Sequence, residues 1–246
     1  KEDIKSMVKF ISSYSLYAYE DEMKRGFITM QGGHRIGVAG QVVMDGGKVL
    51  SLSNIYFLNI RVAREKRGCA KDIIPYLIHR NNIYNTLFVS PPGIGKTTYL
   101  RDAIRILSNG SDRLHGMKIS IIDERSEIAA CRQGIPQNDI GIRSDVLDGC
   151  LKSFGMLLML RSMAPQIIAV DEIGSREDCR AMEQAIYSGS RIIGTVHAYD
   201  MKELSRKKYL KEMLEQQMFG RIVLLEKAEN GRRLSLIHIS EPTRPY

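Results

Sequence analysis

The chain has 246 residues, 43% of them hydrophobic and 26% charged, with a net charge of +8; that composition supports a folded core and excludes general disorder. Its apolar runs, such as Met156–Leu160 and Ile167–Val170, fall far short of the ~20 residues a membrane-spanning helix needs. Cys69, Cys131, Cys150 and Cys179 show no C-x-x-C spacing, which argues against a zinc site or redox pair and for reduced thiols packed in a cytoplasmic protein.

The first residue is Lys1, no secretory leader is visible, and the sequence reads as a piece that starts inside a longer protein. Periodicity predicts an amphipathic helix over Ser6–Arg25. Alternating runs follow at Phe27–Met30, Arg35–Gly40 and Val42–Met44, punctuated by Gly32-Gly33 and Gly46-Gly47 as in antiparallel hairpins. Residues 1–84 are therefore expected to form a small α+β domain, truncated at its start.

From Asn85 the pattern changes to strand and helix in alternation. Strands are predicted at Thr86–Val89, Lys118–Ile122, Ile167–Val170, Arg191–Val196 and Arg221–Leu225. Helices are predicted at Thr97–Leu107, Phe154–Arg161, Arg176–Tyr187 and, as one long charged element, Met201–Phe219. The polar stretch Asp123–Asp148 reads as loop. Such alternation implies an α/β domain with a mostly parallel sheet, expected over residues 85–233.

The charge is uneven: residues 1–85 carry +5, residues 86–200 carry −1 and residues 201–246 carry +4. The basic flanks show short clusters but no Lys/Arg block interleaved with aromatics, so docking to protein is a better reading than a nucleic-acid footprint.

Ser90-Pro91-Pro92-Gly93-Ile94-Gly95-Lys96-Thr97-Thr98 follows a predicted strand and precedes a predicted helix. Glycines there let backbone N–H groups turn inward on phosphates, Lys96 reaches the β/γ-phosphates, and the Thr97 hydroxyl suits Mg²⁺. Ser90 stands where the usual motif has Gly. Downstream, Ile167–Val170 delivers Asp171 and Glu172 in a Walker B arrangement, with Asp171 on Mg²⁺ and Glu172 as general base toward the attacking water. Ile121–Glu127 brings Asp123 and Glu124 to the same sheet edge, where they could order Mg²⁺ or water or simply shape the loop. Gly194-Thr195-Val196-His197 places a histidine at a strand end beside them.

These four elements in this order resemble the type II/IV secretion ATPases. The wording of Gly32–Gly40, Asn59–Arg64, Ser90–Thr98, Ile122–Ala129, Pro136-Gln137 with Val146–Asp148, and Val170–Gly174 resembles more narrowly the stage III sporulation protein AA family. The resemblance implies a RecA-like P-loop ATPase that binds ATP and Mg²⁺ and works as a homo-oligomer, a hexameric ring. It implies a place in the mother-cell cytoplasm, peripheral at the membrane through channel-forming sporulation proteins, with no direct membrane span. Carried onto this chain, it gives catalytic roles to Glu172, Lys96, His197 and the acidic-box residue Glu124, and metal roles to Thr97 and Asp171. Basic residues of the N-terminal domain would act on the γ-phosphate, often across a subunit boundary; Arg61 and Arg64 are the candidates, with Arg161 and Arg143 next.

A nucleic-acid-associated P-loop ATPase is the alternative reading. The single-strand-binding module of related proteins carries an Arg-x-x-x-His pattern, and no histidine here has an Arg four residues before it. Nucleic acid is therefore not the expected partner. After Arg233 the wording departs from the family, and residues 234–246 are expected to be a non-native tail.

Overall fold

The computed structural model describes residues 2–11, 19–80, 82–111, 114–227 and 233–238. The chain divides into two compact units, Lys1–Glu65 with Ala130–Asn138, and Lys66–Ala129 with Asp139–Tyr246. The division after Glu65 lies earlier than the expected one at Asn85. Residues 66–84 are tied to the second unit: the Ala70 N–H donates to Asp102 (2.8 Å) and Arg221 Nε donates to the Tyr76 carbonyl (2.9 Å).

In the first unit, α1 (Glu2–Ile11) and α2 (Glu20–Lys24) stand where one helix was expected. Tyr19 precedes α2 with non-helical dihedrals, and residues 12–18 lie outside the described residues. Strands β1 (Phe27–Thr29), β2 (Arg35–Asp45) and β3 (Lys48–Arg61) form an antiparallel sheet in that order. Gly46 and Gly47, both at positive φ, make the two-residue turn between β2 and β3. Ile28, Ile36 and Val38 pack against Ile11, Tyr19 and Met23. The distant segment 130–138 joins this unit through Arg132, which donates to the Tyr19 hydroxyl (3.0 Å), and Gln137, which accepts from the Gly32 N–H (3.0 Å).

The second unit opens with α3 (Ile74–Leu77) and a small hairpin of β4 (Ile78–His79) and β5 (Asn82–Ile83). It continues through β6 (Thr86–Ser90), α4 (Lys96–Asn109), β7 (Ile119–Asp123), β8 (Ser144–Asp148), α5 (Lys152–Met163) and β9 (Ile167–Val170). Then come α6 (Arg176–Tyr187), β10 (Arg191–His197), α7 (Met201–Arg206), α8 (Lys208–Glu215), β11 (Arg221–Lys227) and β12 (Arg233–His238). A seven-stranded sheet has the order β12-β11-β6-β10-β9-β7-β8, parallel throughout except for β12. Every residue of β6, β7 and β9 is buried, as continuous apolar strands covered on both faces must be. Asn85 pins the entrance of the central strands: its side chain donates to the Met218 carbonyl (2.8 Å) and accepts from the Ile192 N–H (2.9 Å).

Two expectations are corrected here. The stretch expected as loop contains β8, an edge strand half-buried along its whole length, which therefore needs no apolar run. The long helix Met201–Phe219 is broken at Lys207, whose ψ of 100° is extended, so that α7 and α8 bury Leu204 and then Leu210 and Met213 separately. Strand β12 overlaps the stretch expected to be a non-native tail and pairs antiparallel with β11; backbone pairing asks little of side-chain identity, so it does not bear on that expectation.

Helix α6, which follows β9, is fastened by a reciprocal cap. Ser175 Oγ accepts from the Asp178 N–H (3.0 Å), and the Asp178 carboxylate accepts from the Ser175 N–H (3.1 Å). Ser175→Ala is expected to cost about 1 kcal/mol. The measurement is a lowered urea midpoint with an unchanged slope.

Candidate active site

Because β6, β10, β9 and β7 run parallel, their carboxyl ends reach one edge of the sheet. In register, His197 lies opposite Ser90, and Val170 lies opposite both Gly194 and Ile122. The loops leaving these strands hold all four sequence motifs.

The loop Ser90–Thr98 follows from its glycines. Gly93 and Gly95 adopt φ of 78° and 104°, the left-handed region that side chains resist. Helix α4 starts at Lys96 with no side-chain cap on Gly95, so the first-turn N–H groups and the helix dipole suit an anion. The Lys96 ammonium is buried and donates to the Ser90 carbonyl (3.1 Å), the Pro91 carbonyl (3.2 Å) and His197 Nδ1 (2.7 Å). Three acceptors use its three protons. Burial pulls this ammonium below the ordinary lysine range, and the charges of Asp171 and Glu172 work against that pull.

Lysine has no acceptor, so His197 Nδ1 must accept, and the ring proton is assigned to Nε2. Nε2 then donates to Glu172 Oε1 (2.9 Å). The other carboxylate oxygen of Glu172 accepts from Arg125 Nη1. Burial pushes the Glu172 carboxyl up, but the His197 hydrogen bond and the charges of Arg125 and Lys152 outweigh it and hold the group below the ordinary range. Glu172 itself sits at a φ of 52°, a strained backbone for a long side chain. Its N–H is held by Thr195 Oγ1 (2.8 Å) and Asp171 Oδ1 (3.1 Å).

Asp171 completes the constellation. One oxygen accepts from Thr97 Oγ1 (2.6 Å) and the other from Thr195 Oγ1. A threonine hydroxyl and a carboxylate placed together, beside an uncapped helix start and an ammonium, are a donor set that fits Mg²⁺ with nucleotide phosphates.

The acidic box divides into two jobs. Asp123 is buried and accepts from the N–H groups of Glu127 (2.8 Å), Ile128 (2.9 Å) and Ala129 (2.8 Å), so its geometry braces the loop. Burial pushes its carboxyl up from 3.8 to about 6, against the pull of those three N–H groups and helped by nearby Asp148. Arg101 ties down the same loop from α4 through the carbonyls of Glu127 and Ile128 (both 2.5 Å). Glu124 pairs with Lys152 at the start of α5.

Lys96, Thr97, Asp171, Glu172 and His197 are thus brought into one bonded network, with Glu124 in the adjoining cleft lined by Arg125, Lys152 and Glu172. Arg61 and Arg64 belong to the other unit, Arg61 at the end of β3 opposite Arg35, and both are exposed. Of the reserve candidates, Arg143 closes the end of α4 by donating to the Ser108 carbonyl (3.2 Å). Arg161 lines a groove with Pro165, Gln166 and Ser190, which precede β9 and β10, at the opposite edge of the sheet. Arg125, Lys152 and Thr195 were not anticipated. Arg125 and Thr195 lie inside quoted motifs, whereas Lys152 gives no signal, since its partner is 28 residues away.

Asp123→Ala is expected to cost about 2 kcal/mol or more, because three buried N–H groups lose their acceptor. A carboxyl with a raised folded-state pKa stabilises below its unfolded value, and that contribution is lost as pH rises through the folded one. The stability difference between wild type and Asp123→Ala should therefore shrink between pH 3.8 and about 6. Urea titrations of both proteins across that window are the check.

The family model described as "Sporulation stage III, protein AA" matches residues 1–241. Stage III sporulation protein AA of Bacillus subtilis (strain 168) is 42% identical over 237 residues, covering 96% of this chain and 77% of that protein. The uncharacterized protein ycf45 of Cyanidium caldarium is 32% identical over 155 residues, 62% of this chain and 44% of that one. Among solved structures, the Legionella pneumophila ATPase DotB superposes with a TM-score of 0.56 at 19% identity, over 83% of this chain and 57% of that one. The pilus retraction motor PilT with bound ADP gives a TM-score of 0.56 at 17% identity, over 86% and 60%. The chain spans about three fifths of the length of these two structures, and the likeness establishes a RecA-like P-loop fold. With residues 1–241 matched by the family model and 96% of the chain by the Bacillus subtilis relative, the chain belongs to the stage III sporulation protein AA family.

Proposed function

We propose that this chain hydrolyses ATP as a secretion-type motor ATPase and energises a channel complex between mother cell and forespore. The observation that carries the reading is the bonded chain Lys96–His197–Glu172 beside the Thr97–Asp171 pair, which joins a phosphate-binding lysine to a general base. Thr97 and Asp171 would hold Mg²⁺, which when bound supplies charge neutralisation at the transferring phosphoryl group. The loop N–H groups and Lys96 would hold the phosphates. Glu172 would orient water and accept its proton, and His197 would report to Glu172 whether Lys96 has changed partner.

The ring, the mother-cell location and attachment to the membrane through partner proteins rest on family membership; among the described residues no helix is long and apolar enough to cross a membrane. Arg61 and Arg64 are assigned to a neighbour's site, where they would stabilise transition-state charge.

The test is ATP turnover against protein concentration, with oligomer sizing. Lys96→Ala should lose nucleotide binding and turnover. Glu172→Gln should keep binding and lose about 10²-fold or more in rate, as expected for a general base. Specific activity should fall on dilution. Unchanged turnover in Glu172→Gln would remove the reading, and unchanged turnover in the Arg61→Ala, Arg64→Ala double variant would remove the cross-boundary role.

A further inference from the structure

Arg125 is an odd side chain to find at such a site. It is 61% exposed, yet its guanidinium meets the Glu172 carboxylate, which is only 24% exposed. Exposed ion pairs contribute little to folding, so the contact calls for a reason other than stability.

The backbone beneath Arg125 is fixed with unusual thoroughness. Asp123 accepts three consecutive N–H groups just after it, Arg101 grips two carbonyls of the same loop, and Ser126, at a φ of 54°, donates to Asp148 (2.6 Å). A rigid loop therefore presents one long side chain to Glu172. Lys152, 12% exposed, takes the carboxylate of Glu124 alongside. On Glu172 the two donors divide the carboxylate: His197 Nε2 holds Oε1 and Arg125 Nη1 holds Oε2. One donor would leave the group free to turn about its last bond; two set its plane.

We propose that Arg125 is a positioning residue that fixes the plane of the Glu172 carboxylate from a loop braced by Asp123. The proposal rests on the reading of Glu172 as general base. A carboxylate held in the wrong plane binds nucleotide as before but meets water poorly, so the effect falls on turnover and not on affinity. Lysine at this position can still reach one oxygen, though without the planar fork of arginine.

The experiment compares wild type, Arg125→Ala and Arg125→Lys, with Glu172→Gln and Lys96→Ala as blanks. Arg125→Ala should lower kcat about tenfold, leave KM for ATP within about twofold and leave the urea midpoint in place. Arg125→Lys should recover a large part of kcat. In parallel, ¹⁵N spectra of the His197 ring at one fixed pH should shift in Arg125→Ala and return toward wild type in Arg125→Lys, because Glu172 moves against Nε2. A kcat for Arg125→Ala within twofold of wild type, or an unmoved His197 spectrum, overturns the proposal. Wild type without Lys96-dependent turnover would instead overturn the ATPase reading; the His197 spectrum then decides alone whether Arg125 places Glu172.

Discussion

Parallel pairing of four strands, β7, β9, β10 and β6, places Asp123, Asp171, His197 and Ser90 on one edge of the sheet. Parallel strands cannot be joined by tight hairpins, and the chain crosses between them through helices: α4 from β6 to β7, α5 from β8 to β9, and α6 between the neighbours β9 and β10. Helices α5, α6, α7 and α8 pack against the sheet and bury Leu87, Val89, Ile168, Val170, Met182 and Ile192 with them in one core. Chemistry gathered from residues over a hundred positions apart is thus a by-product of strand direction. A ligand crevice outside the carboxyl ends of the strands is where open α/β sheets place their sites.

The gathered groups then satisfy one another closely. Lys96 spends its three protons, Asp171 uses both oxygens, and Glu172 uses both oxygens and its N–H. Partly buried polar networks of this kind are costly when half satisfied and rigid when complete. The strained backbone of Glu172 is tolerable because two acceptors hold its N–H.

What could be read from the sequence follows the same physics. Buried parallel strands are apolar runs that end abruptly in chemistry, so β6, β9 and β10 were legible together with Lys96, Thr97, Asp171, Glu172 and His197. Family wording then narrowed what residue pattern alone left broad. Edge strand β8 was not legible, because a half-buried strand built from Ser144-Asp145-Val146-Leu147-Asp148 looks like a polar loop. The break at Lys207 lies in a charged, helix-favouring stretch, and only packing of α7 and α8 against the core reveals it. Lys152 was invisible for a different reason: a cation becomes functional by its distance from a carboxylate, and periodicity does not report distance.

The segment 130–138 interrupts the second unit in sequence while belonging to the first in space. Synthesis runs from the amino end, so the sheet β1-β2-β3 is made long before Arg132 and Gln137 exist to meet Tyr19 and Gly32. The apolar core of the first unit lies within residues 11–38, whereas the contacts of Arg132 and Gln137 come from residues encoded past Ser90–Thr98 and past β7. The path of the chain lets the core of the first unit form from early residues and leaves its last polar contacts to late ones.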